Sequence, residues 1–149
     1  MKTLVEVESG EGFKQQVDAV DKDGHTALMD AAKEGNVAAV IDLLERGASL
    51  AARSDKGKTA LHYAASHGRL EVVRLLLSKG AEVDPRDRDG HTPLMLAANY
   101  GCNQTSQTLI NHGADALAMS LTGTTALAYA ENNGHAQTLD ILMKSLRSN

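Results

Sequence analysis

The sequence predicts an all-α solenoid, a row of stacked helix-turn-helix units with projecting β-hairpin loops. Three observations carry that expectation. Gly24, Gly57, Gly90 and Gly123 recur at a constant step of 33 residues. Two residues after each stands Thr26, Thr59, Thr92 or Thr125, followed by Ala or, once, by Pro93. The apolar residues are aliphatic, with no Trp, one Phe and three Tyr in 149 residues, which suits a core of closely stacked helices.

Each element has a local reason. Residues 1–20 stand outside the repeat. There Phe13, Val17 and Val20, spaced i, i+4, i+7, predict a short helix with one apolar stripe, capped by Ser9 and lying as a lid over the first unit. With the frame begun three residues before each marker glycine, the units are 21–53, 54–86, 87–119 and 120–149, the last cut short. The glycine belongs to a hairpin turn, where positive φ is cheap only without a Cβ. The threonine caps a first helix, and Pro93 at its first position forfeits no hydrogen bond. Ala31-Ala32, Ala64-Ala65 and Ala97-Ala98 are small enough to let neighbouring helices close in. Gly35, Gly68, Gly101 and Gly134 stop the first helix. A second helix carries the main apolar face, as in Leu70, Val72, Val73, Leu75, Leu76 and Leu77, before Gly47, Gly80 or Gly113 ends it. No such unit can hide its apolar face alone, so the units must stack.

The third unit departs from this pattern. Asn103 to Thr108 stand where the second has Leu70 to Leu75, and Ser106 replaces the apolar Val73, a loss of about 1–3 kcal/mol of packing per missing side chain. The following hairpin is apolar, with Leu117, Met119 and Leu121 where other tips are charged. These side chains either tuck against the adjacent hairpin or stay exposed beside Tyr100 as an anchor for a partner.

A formal charge of −4 argues against nucleic acid as a partner. The charge is uneven: residues 1–45 carry 4 basic and 10 acidic side chains, and residues 46–91 carry 9 and 6. No run approaches the length of a membrane span and no signal peptide is expected. The lone Cys102 allows no internal disulfide and fits a reducing compartment, the cytoplasm or nucleus. The sequon at Asn103 is then idle.

Catalytic chemistry finds little footing. The stretch from Ala52 to Thr59 approximates a phosphate-binding loop but lacks its first glycine. His62 and His67 lie on different sides of one helix, and His25 and His91 two units apart, so neither pair chelates a metal. Cys102 has no partner base in the sequence, and a thiol sensor or enzyme built on it is the competing class. No cofactor, metal or small-molecule substrate is expected, and the chain is expected to be monomeric.

Four in-register copies of G-x-T-[AP]-L, extended to T-[AP]-L-x-x-A-[AE], resemble the ankyrin-repeat family over about residues 21–146. The resemblance implies a cupped stack that binds another protein, as an adaptor, an inhibitor or an assembly chaperone, or as part of a longer scaffold. It places partner contacts at the inner-helix ends, Lys33-Glu34, Ser66-His67, Asn99-Tyr100 and Asn132-Asn133, and at the tips, Arg53, Lys56, Lys58, Arg86, Arg88, His91, Met119 and Leu121. Surface charge there is either merely solvated or engaged by the partner. It also implies that His62 ties its loop to the next unit. Asp84 falls at the target position of the asparaginyl hydroxylase that modifies such repeats, with Asp in place of the usual Asn.

Overall fold

The computed structural model describes residues 17–147. Among the described residues, from Ala27 onward, the helices run α1 (Ala27–Glu34), α2 (Val37–Glu45), α3 (Ala60–Ser66), α4 (Leu70–Ser78), α5 (Pro93–Asn99), α6 (Asn103–Asn111), α7 (Ala126–Asn132) and α8 (Ala136–Arg147). They form four antiparallel pairs. The odd-numbered helices make an inner row, in which α1 packs on α3, α3 on α5 and α5 on α7. The outer row touches less at its first step, between α2 and α4, so the stack curves with the inner helices on its concave side.

The predicted punctuation is present. Thr26, Thr59, Thr92 and Thr125 each accept a hydrogen bond from the amide three residues on. The paired alanines Ala32, Ala64, Ala65, Ala97 and Ala98 are fully buried, which sets the inner row's close spacing. The loops are hairpin turns without strand ladders: among the described residues only Met119 and Thr125 form a β-bridge. At the start of the described chain Val17 is buried, but Val20 is 59% exposed and lies beyond the helical residues. The three-residue apolar stripe is therefore not formed as expected; Phe13 and Ser9 lie outside the described residues.

The turns themselves are stacked. In each, the first residue's amide donates to the carbonyl four residues on, as Ser54 to Lys58 (2.9 Å) and Asp87 to His91 (3.0 Å). The Asp87 carboxylate also accepts from the amides of Asp89 and His91 at 2.9 and 2.8 Å. Gly57 and Gly90 have φ of 78°, and a Cβ on either would collide with the following turn, at Arg88 N or Leu121 N. Glycine is thus required twice over, for the backbone angle and for the approach of the next unit.

His62 performs the predicted tie. Its Nδ1 accepts from the Thr59 amide at 3.0 Å, so Nε2 carries the proton and donates to the His91 carbonyl at 2.9 Å. Burial holds the imidazole down to a pKa of about 4, so it is neutral. The polar helix α6 is less exposed than its composition suggests. Thr105, Ser106 and Thr108 are buried, Asn103 donates to Gln137 (3.0 Å) and accepts from the Thr138 hydroxyl, and Thr108 returns its hydroxyl to the Gln104 carbonyl (2.9 Å). Ser106 Oγ is buried without a partner.

Two outcomes follow. Between pH 6.5 and 4 the unfolded chain protonates His62 and the folded chain does not, so this residue's contribution is full above about 6.5 and is lost as pH falls to 4. In urea melts across that window, His62→Met, the residue type of the equivalent Met29 and Met95, should flatten the pH dependence by on the order of 3 kcal/mol. Ser106→Val should raise stability by about 1 kcal/mol in the same assay, because it removes an unsatisfied buried hydroxyl and restores the apolar contact.

Candidate functional site

The hairpins and inner helices of the first three units enclose an open groove of about 690 Å³. Lys33 comes from the first unit, Asp55, Lys56, Lys58, Tyr63, Ser66 and His67 from the second, and Arg88, Asp89, His91, Leu96, Asn99 and Tyr100 from the third. A smaller hollow of about 320 Å³ shares five of these residues and extends the floor to Asp23 and His25. Glu34, Arg53, Arg86, Met119, Leu121, Asn132 and Asn133 do not line the groove. Met119 and Leu121 thus lie outside the groove that Tyr100 lines.

Side chains along the tips differ in what already holds them. Arg53 Nη1 donates to the Gly57 carbonyl at 2.9 Å and to the Arg86 carbonyl at 2.7 Å, and Arg86 repeats the pattern onto Gly90 and Met119. These guanidiniums clip each turn to the next. Lys58 pairs with Asp87, whose side chain is fully buried. Burial pushes the Asp87 carboxyl up, but the Lys58 ammonium and the amides of His91 and Asp89 outweigh it and hold the group below the usual range. Asp87, Asp89 and His91 each bring one ligand atom within 4.8 Å of the others, but the Lys58 ammonium already occupies the Asp87 carboxylate that a cation would need. Asn133 donates to the Asn99 side chain at 2.6 Å. By contrast Lys33, Lys56 and Arg88 have no side-chain partner among the described residues, and Tyr100 is 61% exposed.

An alternation escaped the sequence reading. His25 Nε2 lies 3.0 Å from the Tyr63 hydroxyl, which donates to Ser54 at 2.9 Å; His91 Nε2 lies 2.9 Å from the Tyr129 hydroxyl, which donates to Ser120 at 3.3 Å. Both ring pairs meet edge to face. Between them, at the junction of units two and three, the Lys58–Asp87 pair and Leu96 replace the His–Tyr contact. The signal was present: D-[KR]-D-G-H-T opens at 21 and 87, S-x-x-G-x-T at 54 and 120, and Tyr recurs at 63 and 129. The chain has a 66-residue period laid over the 33-residue one.

Two further candidates are structural in their surroundings. Cys102 occupies the position from which Arg69 and His135 reach back to the carbonyls of Lys33 (2.9 Å) and Asn99 (3.0 Å). Its thiol lies instead against Gly68, and burial pushes its pKa up, away from the reactive thiolate. Asp84 accepts from the Asp115 amide at 3.0 Å, its other oxygen is buried without a partner, and burial raises its pKa. A modifying enzyme would have to peel this segment off the next unit.

The division between held and free cations is measurable. Lys58→Ala leaves the Asp87 carboxylate buried and unpaired and should cost about 3 kcal/mol in a denaturant melt. Lys56→Ala and Arg88→Ala should each stay within about 0.5 kcal/mol.

A family model described as ankyrin repeats, in three copies, matches residues 1–87 and 80–149. Comparison with curated proteins gives no match. Repeats of this family generally serve as protein–protein interaction modules and are typically non-enzymatic scaffolds. No helix among the described residues is long and apolar enough to cross a membrane. With the whole length matched, and with four hairpin and helix-pair units in register, the chain belongs to the ankyrin-repeat family.

Proposed function

We propose that the protein binds a partner protein in the concave groove and along the tips beside it, as an adaptor, inhibitor or assembly chaperone. The observation that supports this is the contrast within one surface. Lys33, Lys56 and Arg88 stand free beside the exposed Tyr100 and the apolar Leu96, while Arg53, Arg86, Lys58 and His91 are engaged in holding the turns. The engaged residues make the floor rigid, so little ordering entropy is lost on binding. The free cations steer an approaching partner, and Tyr100 supplies the flat, amphipathic contact that carries affinity at such centres. A reducing compartment, the cytoplasm or nucleus, is its proposed setting, given the single thiol.

Affinity capture followed by binding of the purified partner tests this. Tyr100→Ala should raise Kd about tenfold or more, chiefly through the dissociation rate. Lys56→Ala with Arg88→Ala should slow association several-fold and reduce its salt dependence. A partner indifferent to all three but displaced by substitutions at Ile41 on the outer helices would sink the reading.

A further inference from the structure

Each turn receives the next in one way. The Asp55 amide donates to the Asp23 carbonyl (3.1 Å), that of Arg88 to Lys56 (3.0 Å) and that of Leu121 to Asp89 (3.0 Å). The incoming residue also lies across the marker glycine, Asp55 on Gly24, Arg88 on Gly57 and Leu121 on Gly90. The fourth turn keeps this shape, with Gly123 at φ 80° against 78° in the other three and the Ser120 amide on the Thr124 carbonyl at 2.9 Å. Yet the Thr122 carbonyl, equivalent to those of Asp23, Lys56 and Asp89, accepts no hydrogen bond among the described residues. Among the described residues nothing lies within 4 Å of a Cβ position on Gly123.

The approach to this turn is apolar. From 116 to 121 burial alternates: Ala116, Ala118 and Ser120 are buried, while Leu117, Met119 and Leu121 are 57, 56 and 77% exposed. At the aligned outward positions the other units carry Ala51, Arg53 and Asp55 or Asp84, Arg86 and Arg88. Leu117 also lines an open groove of about 810 Å³ between α6 and α8, beside Ile110, Ile141 and Leu146.

We propose that the last hairpin is a second docking site, separate from the concave groove, for a tight hairpin turn of a partner protein that continues the row of turns by one step. The row's own register specifies the ligand. A backbone N–H lands on the Thr122 carbonyl, an apolar side chain crosses Gly123, and further apolar side chains lie beside Met119 and Leu117, in the place that each interior unit gives to its successor. A whole further helix pair does not fit. Glu131 is exposed where Ala32, Ala65 and Ala98 are fully buried under the following unit, and a carboxylate there would be desolvated unpaired by a stacked helix. A second copy stacked head to tail would bring Lys22 onto this row of leucines, because Lys22 aligns with Asp55, Arg88 and Leu121.

The probe is a cyclic peptide of residues 116–125, ALAMSLTGTT, which carries the same Leu121 N–H that docks on Asp89 within the row. It is titrated into the isotope-labelled full chain and followed by amide chemical shifts. Saturable shifts should gather at Leu117, Met119 and Leu121 to Gly123. N-methylation at the peptide's Leu121 position should weaken binding at least tenfold, and so should Met119→Asp with Leu121→Asp in the protein, checked for an unchanged melt. Tyr100→Ala should leave it unchanged, so failure here is distinct from failure of the concave groove. No saturable binding by about 1 mM, equal binding of the N-methylated peptide, or shifts centred on Lys56 and Tyr100 would each overturn the proposal. Concentration-dependent self-association of the chain alone, abolished by Leu121→Asp, would overturn it in favour of a second copy.

Discussion

The distance between successive turns governs everything else in the molecule. It is set by one backbone hydrogen bond per step, such as Arg88 to the Lys56 carbonyl, made possible by a glycine that offers no Cβ to the incoming chain. Once that step is fixed, the inner helices must pack at alanine spacing, and the outer helices follow at the end of a rigid turn. Side chains then reinforce the step at several levels. Arg53 and Arg86 clip adjacent turns, His62 bonds the next unit's His91 carbonyl, and Arg69 and His135 cap the preceding inner helix. Because a stack of this kind is stabilised mostly by neighbour contacts, these repeated ties make each junction its own unit of stability.

The period was legible because single residues enforce it. Gly57 and Gly90 are irreplaceable in their turns, Thr59 and Thr92 cap, and Pro93 is at home only in the first helical position. The fate of individual charges was not legible. Whether Lys58 steers a partner or neutralises Asp87 depends on a carboxylate 29 residues away that reaches it only after the units stack. Arg53 and Arg86 were likewise indistinguishable in the sequence from Arg88, although the first two are tied to carbonyls and the third is free. The sequence of α6 shows a serine where Val73 stands in the second unit, and that serine is buried, but the partners that satisfy Asn103, namely Gln137 and Thr138, lie in another unit. Val20 misled because its spacing from Val17 fits a helix that does not extend that far.

The groove therefore combines two populations of polar residues that composition alone merges. One is structural and buried or tied; the other has no side-chain partner among the described residues and faces solvent. Asp55 and Asp89 lie among the free cations, so the field over the groove is mixed in sign, and discrimination between partners depends on where charges sit more than on net charge.

The alternation of His25–Tyr63 and His91–Tyr129 with the intervening Lys58–Asp87 junction gives the stack a reading frame of two units. Units one and three present one kind of upper face, units two and four another, and a junction is well formed only between unlike neighbours. Excising the second unit alone would set His25 against Leu96, a mismatch, whereas excising the second and third together would return it to a tyrosine, Tyr129. A change of length by 66 residues therefore preserves the pairing at each junction and a change by 33 breaks it, even though every unit shares the same backbone.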